Sequence, residues 1–278
     1  MSNKRGAESQ GGRKRPRANY NVTSRTNISG PGVWATCARG RERSTIGELY
    51  DLFESIAEEL WPTEQKEASS REDDQDAEEE DEDNLEEMVK KELAGLKKPR
   101  VQKRFANCQT GTPCVIFISC KPPIDPVKLV LHQFFEIERT GVTRVKQVLR
   151  LTPASDSCVA SMPEILLLAK KVIPPAFEVL PEKEDGSKKY RYKIDLSMRN
   201  HDKIQKSELL PQIAQCVPAE AGHTVDLDDP EIVIFVQILK SVCGISVMPH
   251  YQRFKRFNVE QVGEAARRRL ETEEQGKE

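Results

Sequence analysis

Apolar residues are sparse up to Gly30 and then fall into short runs of two different periods. Val33-Trp34-Ala35-Thr36-Cys37 reads as a short strand. Thr45-Ile46-Gly47-Glu48 has the form of a capping box, and Ile46, Leu49, Phe53, Ile56, Ala57 and Leu60 follow at helical spacing. Trp61-Pro62 closes that helix, because proline disfavours helical geometry in the residue before it. After a long polar stretch, Cys114 to Ser119 is an apolar run suited to a buried central strand. Asp125-Pro126 opens a helix in the order of cap then proline, with Val127, Val130, Leu131, Phe134 and Ile137 on its inner face. Val145 to Leu151 returns as a strand. The order is β-α, insert, β-α-β.

A second unit begins at Ser161-Met162-Pro163-Glu164, again of capping-box form, and Pro174-Pro175 is expected to stop its helix. Asp185-Gly186 marks a turn. Then Tyr190, Tyr192, Ile194, Leu196 and Met198 alternate with Arg191, Lys193, Asp195, Ser197 and Arg199, the period of a half-buried strand. Asp195 among these cations is expected to form an ion pair. Ser207 is placed as the cap of a helix carrying Leu209, Leu210, Ile213, Ala214 and Val217. Ile232 to Leu239 and Cys243 to Met248 are apolar strands, and Asn258 caps a last helix with Val259, Val262, Ala265, Ala266 and Leu270 inside. The fold class that follows is α+β. A small sheet with helices on one face, a ferredoxin-like half, forms residues 32–160 and is interrupted by an insert at 62–98. An α-β-α-β-β unit spans 161–258. Residues 1–31 form a disordered basic tail and residues 259–278 a charged helical tail.

Charge changes this picture. The chain has 43 basic and 45 acidic residues, a near balance that averages unlike segments. Residues 64–92 hold 15 acidic and 4 basic side chains, so the remainder is basic overall. A basic body favours a polyanionic partner, while like charges at the density of the insert keep that segment open. From Leu85 a weak amphipathic pattern (Met88, Val89, Leu93, Leu96) marks a short helix that docks either on this body or on a partner. Arg13-Lys14-Arg15-Pro16-Arg17 reads equally as a nuclear localisation signal, a loose nucleic-acid contact or a solvated tail. No apolar stretch reaches the length of a membrane helix, and the basic N-terminus lacks the apolar segment of a secretory signal. The seven cysteines form no CxxC pair, fit no zinc pattern and are expected to be reduced thiols of an intracellular protein.

Candidate chemistry is scarce. Neither a GxxxxGK[ST] nor a GxGxxG loop occurs, and neither HExxH nor GxSxG is present. Asp228-Asp229 before Pro230 fits a turn better than an acid–base pair, and His132 beside Leu131 fits a packed or surface histidine better than a ligand. The expectation is therefore no catalytic residue, no metal and no cofactor. Cationic groups beside aromatic or polar ones do recur: Arg39, Arg41 and Arg43 around Gly40; Lys188 to Lys193 with Tyr190 and Tyr192; Arg199-Asn200-His201; and His250 to Arg256. Each alone is an ordinary solvated face. Together they point to RNA, whose phosphates need positive charge and donors and whose helices are read through backbone and shape.

The segment from Lys189 to Asn258 resembles a THUMP domain, the RNA-binding module of several RNA-modifying enzymes. The residues that carry the resemblance are Tyr190-Arg191-Tyr192-Lys193-Ile194, Arg199-Asn200 and Glu208-Leu209-Leu210. To these are added Val225-Asp226-Leu227-Asp228-Asp229-Pro230-Glu231, the strand Ile232 to Val236, and Gly244-Ile245-Ser246-Val247. Cys37-Ala38-Arg39-Gly40-Arg41-Glu42 near the start, the acidic insert, and the ending Tyr251 to Asn258 make the chain similar to the THUMP-domain adaptors of tRNA cytidine acetylation. That resemblance implies a ferredoxin-like domain followed by an α/β THUMP domain. It also implies a non-catalytic subunit that presents tRNA to a separate RNA cytidine acetyltransferase for N4-acetylcytidine formation. Expected RNA contacts are Arg39, Arg41, Arg43, Arg191, Lys193, Arg199, Asn200 and His201, with Lys255 and Arg256 weaker. Reversing the charge of Arg191 and Lys193 is expected to weaken tRNA binding. The rivals are an RNA-modifying enzyme in its own right and an acidic nucleolar scaffold or chaperone. Nuclear or nucleolar residence is expected, with the cytoplasm left open, as is the oligomeric state.

Overall fold

The computed structural model describes residues 28–62, 103–183 and 186–275. The basic run at residues 13–17 and the amphipathic pattern at residues 85–96 lie outside the described residues, as does nearly all of the N-terminal tail and the acidic insert.

The first sheet is antiparallel throughout, in the order β2-β3-β1-β4, with β1 Gly32–Cys37, β2 Phe105–Cys108, β3 Val115–Cys120 and β4 Val148–Ala154. Two helices, α1 Glu42–Leu60 and α2 Pro126–Thr140, pack on one face of it. Strand β2 has no counterpart in the sequence reading, because four residues are too few to display a period. With it the order becomes β-α-β-β-α-β, a split β-α-β arrangement. Val33, Ala35, Ile116 and Ile118 meet Leu49, Phe53, Ile56, Val130, Phe134 and Ile137 in the core under the helices.

Side chains in this sheet take roles that local propensity does not reveal. Helix α1 begins three residues ahead of the expected capping box. Thr45 Oγ1 donates to Arg41 O at 2.8 Å. The Glu48 carboxylate is drawn away to accept the backbone N–H groups of Lys146 and Gln147 at 2.9 and 3.0 Å. Helix α2 follows local rules: Asp125 accepts from the N–H groups of Val127 and Lys128, with proline in the first turn.

The second sheet has the order β5-β9-β8-β6-β7. Its strands are β5 Asp156–Val159, β6 Arg191–Arg199, β7 Thr224–Val225, β8 Ile232–Leu239 and β9 Val242–Pro249. β6 runs parallel to β7 and β8, and β9 runs antiparallel to β8 and β5. The helices α3 Met162–Val179 and α4 Lys206–Ala214 cover the face that carries Tyr192, Leu196, Ile234, Val236, Ile238 and Ile245. The alternation read from the sequence of β6 is therefore the observed one. Two helix ends differ. Helix α3 continues through Pro174 and Pro175 to Val179, because Ile173 and Phe177 are buried and hold its last turns on the sheet. Helix α4 is preceded by Gln205, so Ser207 lies inside the first turn.

The chain crosses between sheets at Ser155, whose N–H donates to Ile245 O at 2.9 Å. Behind this crossing a smaller core of Trp34, Cys108, Val115, Phe117, Ala154 and Leu239 joins the two sheets, with Trp34 and Phe117 ring centroids 4.6 Å apart. Gly244 is required here. A Cβ at that position would lie 3.0 Å from the Ala154 Cβ and 3.1 Å from Trp34 Nε1. After β9, Tyr251, Phe254 and Phe257 return to the first core, and α5 (Val259–Gln275) packs on α2. Asn258 Oδ1 accepts the Gln261 N–H at 3.1 Å, the cap expected from the sequence. The C-terminal helix is thus part of the packed body through Val259, Val262 and Ala266.

Candidate nucleic-acid interface

Arg39 and Arg41 lie in the loop after β1 and Arg43 in the first turn of α1, all three exposed. The loop's shape is fixed by its neighbours. Gly40 supplies a turn at φ 77°. Cys37 N–H donates to Cys114 O at 3.1 Å, and Glu42 Oε1 accepts the Cys114 N–H at 3.0 Å. Hydrogen bonds from its own N–H and that of Cys114 hold the Glu42 carboxyl below the usual carboxylate range. The glutamate of the Cys-Ala-Arg-Gly-Arg-Glu string is therefore a fastener, and the three arginines around it stay exposed at the β1–α1 junction. Among the described residues none of the three guanidiniums forms an ion pair, so their charge is open to an external anion.

Loop 109–114, which Glu42 grips at one end, touches the second sheet at the other. Lys240 Nζ donates to Gly111 O. Lys240 sits in the two-residue turn between β8 and β9 at φ 53°, a backbone conformation uncommon for a residue with a Cβ. Its N–H donates to Arg199 O at 3.0 Å, and its carbonyl lies 2.6 Å from His201 Nδ1. Asn200, between them, adopts φ 52°. Arg199, Asn200 and His201 thus gather at the C-terminal end of β6 beside Lys240. The polar atoms Trp34 Nε1, Thr112 Oγ1, His201 Nε2 and Gln237 Oε1 are buried with no hydrogen-bond partner among the described residues. Such groups call for water or a ligand. A pocket of about 500 Å³ opens here, lined by Gln109, Thr110, Ser157, Cys158, Lys240 and Ser241 among others.

The remaining candidates stand apart. Lys255 and Arg256 are exposed on a short turn, Lys255–Phe257, in which three successive residues have φ between 49° and 58°. Phe254 and Phe257 pin that turn against Phe134 at centroid distances of 5.5 and 5.1 Å. Asn258 bridges Arg150, which pairs with Thr36 on its other side, so the turn lies one strand beyond β1 and its arginine loop.

Arg191 is eight residues from Arg199, about 26 Å along an extended strand, at the opposite end of β6. There its guanidinium meets Asp226 at 3.3 Å, Asp229 at 3.0 Å and Glu231 at 3.7 Å. Asp226 also accepts the N–H groups of Asp228 and Asp229, each at 3.0 Å, and these bonds, then Arg191, hold its carboxyl below the ordinary value. The cation expected at Arg191 is instead paired in a half-exposed cluster, since its carboxylates arrive from a loop more than thirty residues later in sequence. Lys193 is nearby and donates to Leu227 O at 3.3 Å. Asp195 likewise has a different partner from the expected cation. Its Oδ2 accepts from the Tyr251 hydroxyl at 2.7 Å, tying the segment after β9 to β6.

Sequence reasoning missed Lys240, Thr110 and Gln109. Lys240 had one available signal, a two-residue link between strongly apolar strands, but the usual glycine or asparagine of such turns is absent.

An antiparallel split β-α-β sheet joined to an open sheet of mixed parallel and antiparallel strands is the architecture that carries these basic segments. The family model for the THUMP domain matches residues 159–248. An uncharacterized protein of Schizosaccharomyces pombe is 33% identical over 231 residues, covering 83% of this chain and 75% of its own. The Saccharomyces cerevisiae protein named tRNA acetyltransferase TAN1 is 28% identical over 290 residues, 98% of each chain. Human THUMP domain-containing protein 1 is 25% identical over 266 residues, covering 91% of this chain and 72% of that one. The chain belongs to the THUMP-domain family.

Proposed function

We propose that this protein is a tRNA-binding adaptor that presents tRNA to a separate RNA cytidine acetyltransferase for N4-acetylcytidine formation. The observation that carries the reading is the linkage of two cationic loops, Arg39/Arg41/Arg43 and Arg199/Lys240, through loop 109–114. Charges held on a stiff frame can meet successive phosphates of a folded RNA without losing much side-chain freedom, and each phosphate neutralised releases counterions. His201 and Asn200 add donors and acceptors beside the cations. Lys255 and Arg256 extend the surface past Arg150. Similarity over nearly its whole length to a protein named tRNA acetyltransferase supports tRNA as the RNA and acetylation as the reaction.

The division of labour rests on effective concentration. An adaptor that holds tRNA and docks on an enzyme turns a bimolecular encounter into a local one, and it orients the target base without contributing a reacting group. The relative's name also admits a second reading, in which the chain itself transfers the acetyl group. A pull-down of the tagged protein from cells separates the two. The adaptor reading expects tRNA and an acetyltransferase polypeptide to be recovered together, and acetylated cytidine to vanish from tRNA on depletion. Recovery of tRNA alone, with purified protein acetylating it from acetyl-CoA, would overturn that reading.

A further inference from the structure

We propose that Cys158 and Cys243 form a dithiol site that hydroperoxides convert to a reversible disulfide. The two residues are direct partners across the antiparallel pair β5–β9. Ala160 N–H donates to Ser241 O at 2.7 Å. By the alternation of an antiparallel ladder, Cys158 and Cys243 two positions on therefore occupy the same kind of hydrogen-bonded pair. The Cα atoms of such a pair are about 5.5 Å apart, inside the 4.4–6.8 Å range of disulfides. Both side chains lie on the helix-covered face, where Cys243 is fully buried and Cys158 packs at the edge of the same core. The Cβ atoms of such a pair are about 5.5 Å apart, wider than the roughly 3.5–4.5 Å of disulfides, so closing the bond takes side-chain rotation and an approach of about 1 Å by β5, which is an edge strand free to shift toward β9.

Access is asymmetric in the way the chemistry requires. Cys158 lines the pocket at the sheet junction and is reached from solvent, whereas Cys243 is closed behind it. The neighbouring Cys243 thiol lowers the proton affinity of Cys158, outweighing the opposing effects of its partial burial and of Glu164 and Asp156. The same contact and its burial push Cys243 up. Cys158 is the group positioned to attack, and Cys243 the group to resolve. In the first step the Cys158 sulfur attacks one peroxide oxygen, the O–O bond breaks, and sulfenic acid and water (or an alcohol) form. In the second the Cys243 sulfur attacks the sulfenic sulfur, and the hydroxyl leaves as water with the Cys243 proton. Peroxide is reduced by two electrons and two thiols are oxidised to one disulfide.

The proposal does not rest on the tRNA reading, although Cys158 and Lys240 line the same pocket. The test uses the full chain treated with hydrogen peroxide, followed by thiol titration under denaturing conditions, intact mass and peptide mapping. Cys158 and Cys243 fall in separate tryptic peptides, 151–170 and 241–253, each with a single cysteine. The expected result is a fall from seven titratable thiols to five, a mass loss of about 2 Da, a cross-link joining these two peptides, and reversal by dithiothreitol. Cys158→Ser should abolish the cross-link. In Cys243→Ala a sulfenic-acid probe should label Cys158. The wild-type peptide map does not depend on either variant folding. A cross-link through other cysteines, such as Cys37 with Cys114, or oxidation elsewhere while Cys158 and Cys243 stay alkylatable, would overturn the proposal.

Discussion

Removing the three arginines of the β1–α1 junction in the variant Arg39→Ala/Arg41→Ala/Arg43→Ala should weaken tRNA binding and flatten its dependence on salt. Each phosphate neutralised on a duplex contributes a slope of about −0.9 to log affinity against log salt. Between 50 and 200 mM salt that amounts to about 3.5-fold per contact, and about 40-fold for three contacts acting together. The variant should therefore lose about 40-fold less affinity than wild type across that interval. All three side chains are exposed and the loop is held by backbone contacts and Glu42, so the fold should survive the change. Fluorescence anisotropy with labelled tRNA at several salt concentrations measures the slope, and circular dichroism checks the fold. Arg191→Ala is the internal control. Its guanidinium is already engaged by Asp226, Asp229 and Glu231, so its removal should leave the slope nearly unchanged. A triple variant with the wild-type slope, or an Arg191 variant that loses as much slope as the triple, would refute the reasoning.

Gly244→Val should destabilise the protein by about 1–3 kcal/mol, because its side chain would collide with Ala154 and Trp34 at the junction of the sheets; denaturant unfolding measures it, and an unchanged midpoint would contradict the packing described. Asp226→Asn should lower the thermal midpoint by a steady amount above about pH 4, with the gap closing as pH falls. The folded carboxyl of Asp226 titrates below its ordinary value, so its contribution is present above the unfolded value and is lost as the pH drops through the folded one. A gap that widens in acid would contradict this sign.

Elements whose signals are local were legible in the sequence. Ile232–Leu239 is a continuous apolar strand, β6 shows a clean period of two, and Asp125-Pro126 and Asn258 cap their helices through atoms two or three residues away. Features that depend on distant partners were not. Glu48 looked like part of a capping box but bonds backbone nearly one hundred residues later. Pro174 and Pro175 looked like a stop until the burial of Ile173 and Phe177 is taken into account. β2 and β5, four residues each, are defined only by the strands they join.

The candidate surface divides along the same line. Arg39, Arg41, Arg43 and Arg199 could be selected by residue type and neighbourhood. Their connection through Glu42, Cys114, Gly111 and Lys240 could not, because it is made by single contacts between loops far apart in sequence. Arg191 shows the converse case. Its strand position suggested an open cation, yet the acidic turn that neutralises it is brought in by the parallel pairing of β7 with β6.

In the proposed function this chain grips tRNA while another polypeptide makes the acetyl bond. Reconstitution with purified tRNA, acetyl-CoA, this protein and a separate RNA cytidine acetyltransferase tests it most directly, with N4-acetylcytidine quantified by mass spectrometry. An adaptor gives product when both proteins are present and little with either alone. Acetylation by this protein alone, or full acetylation by the enzyme without it, would rule the adaptor role out.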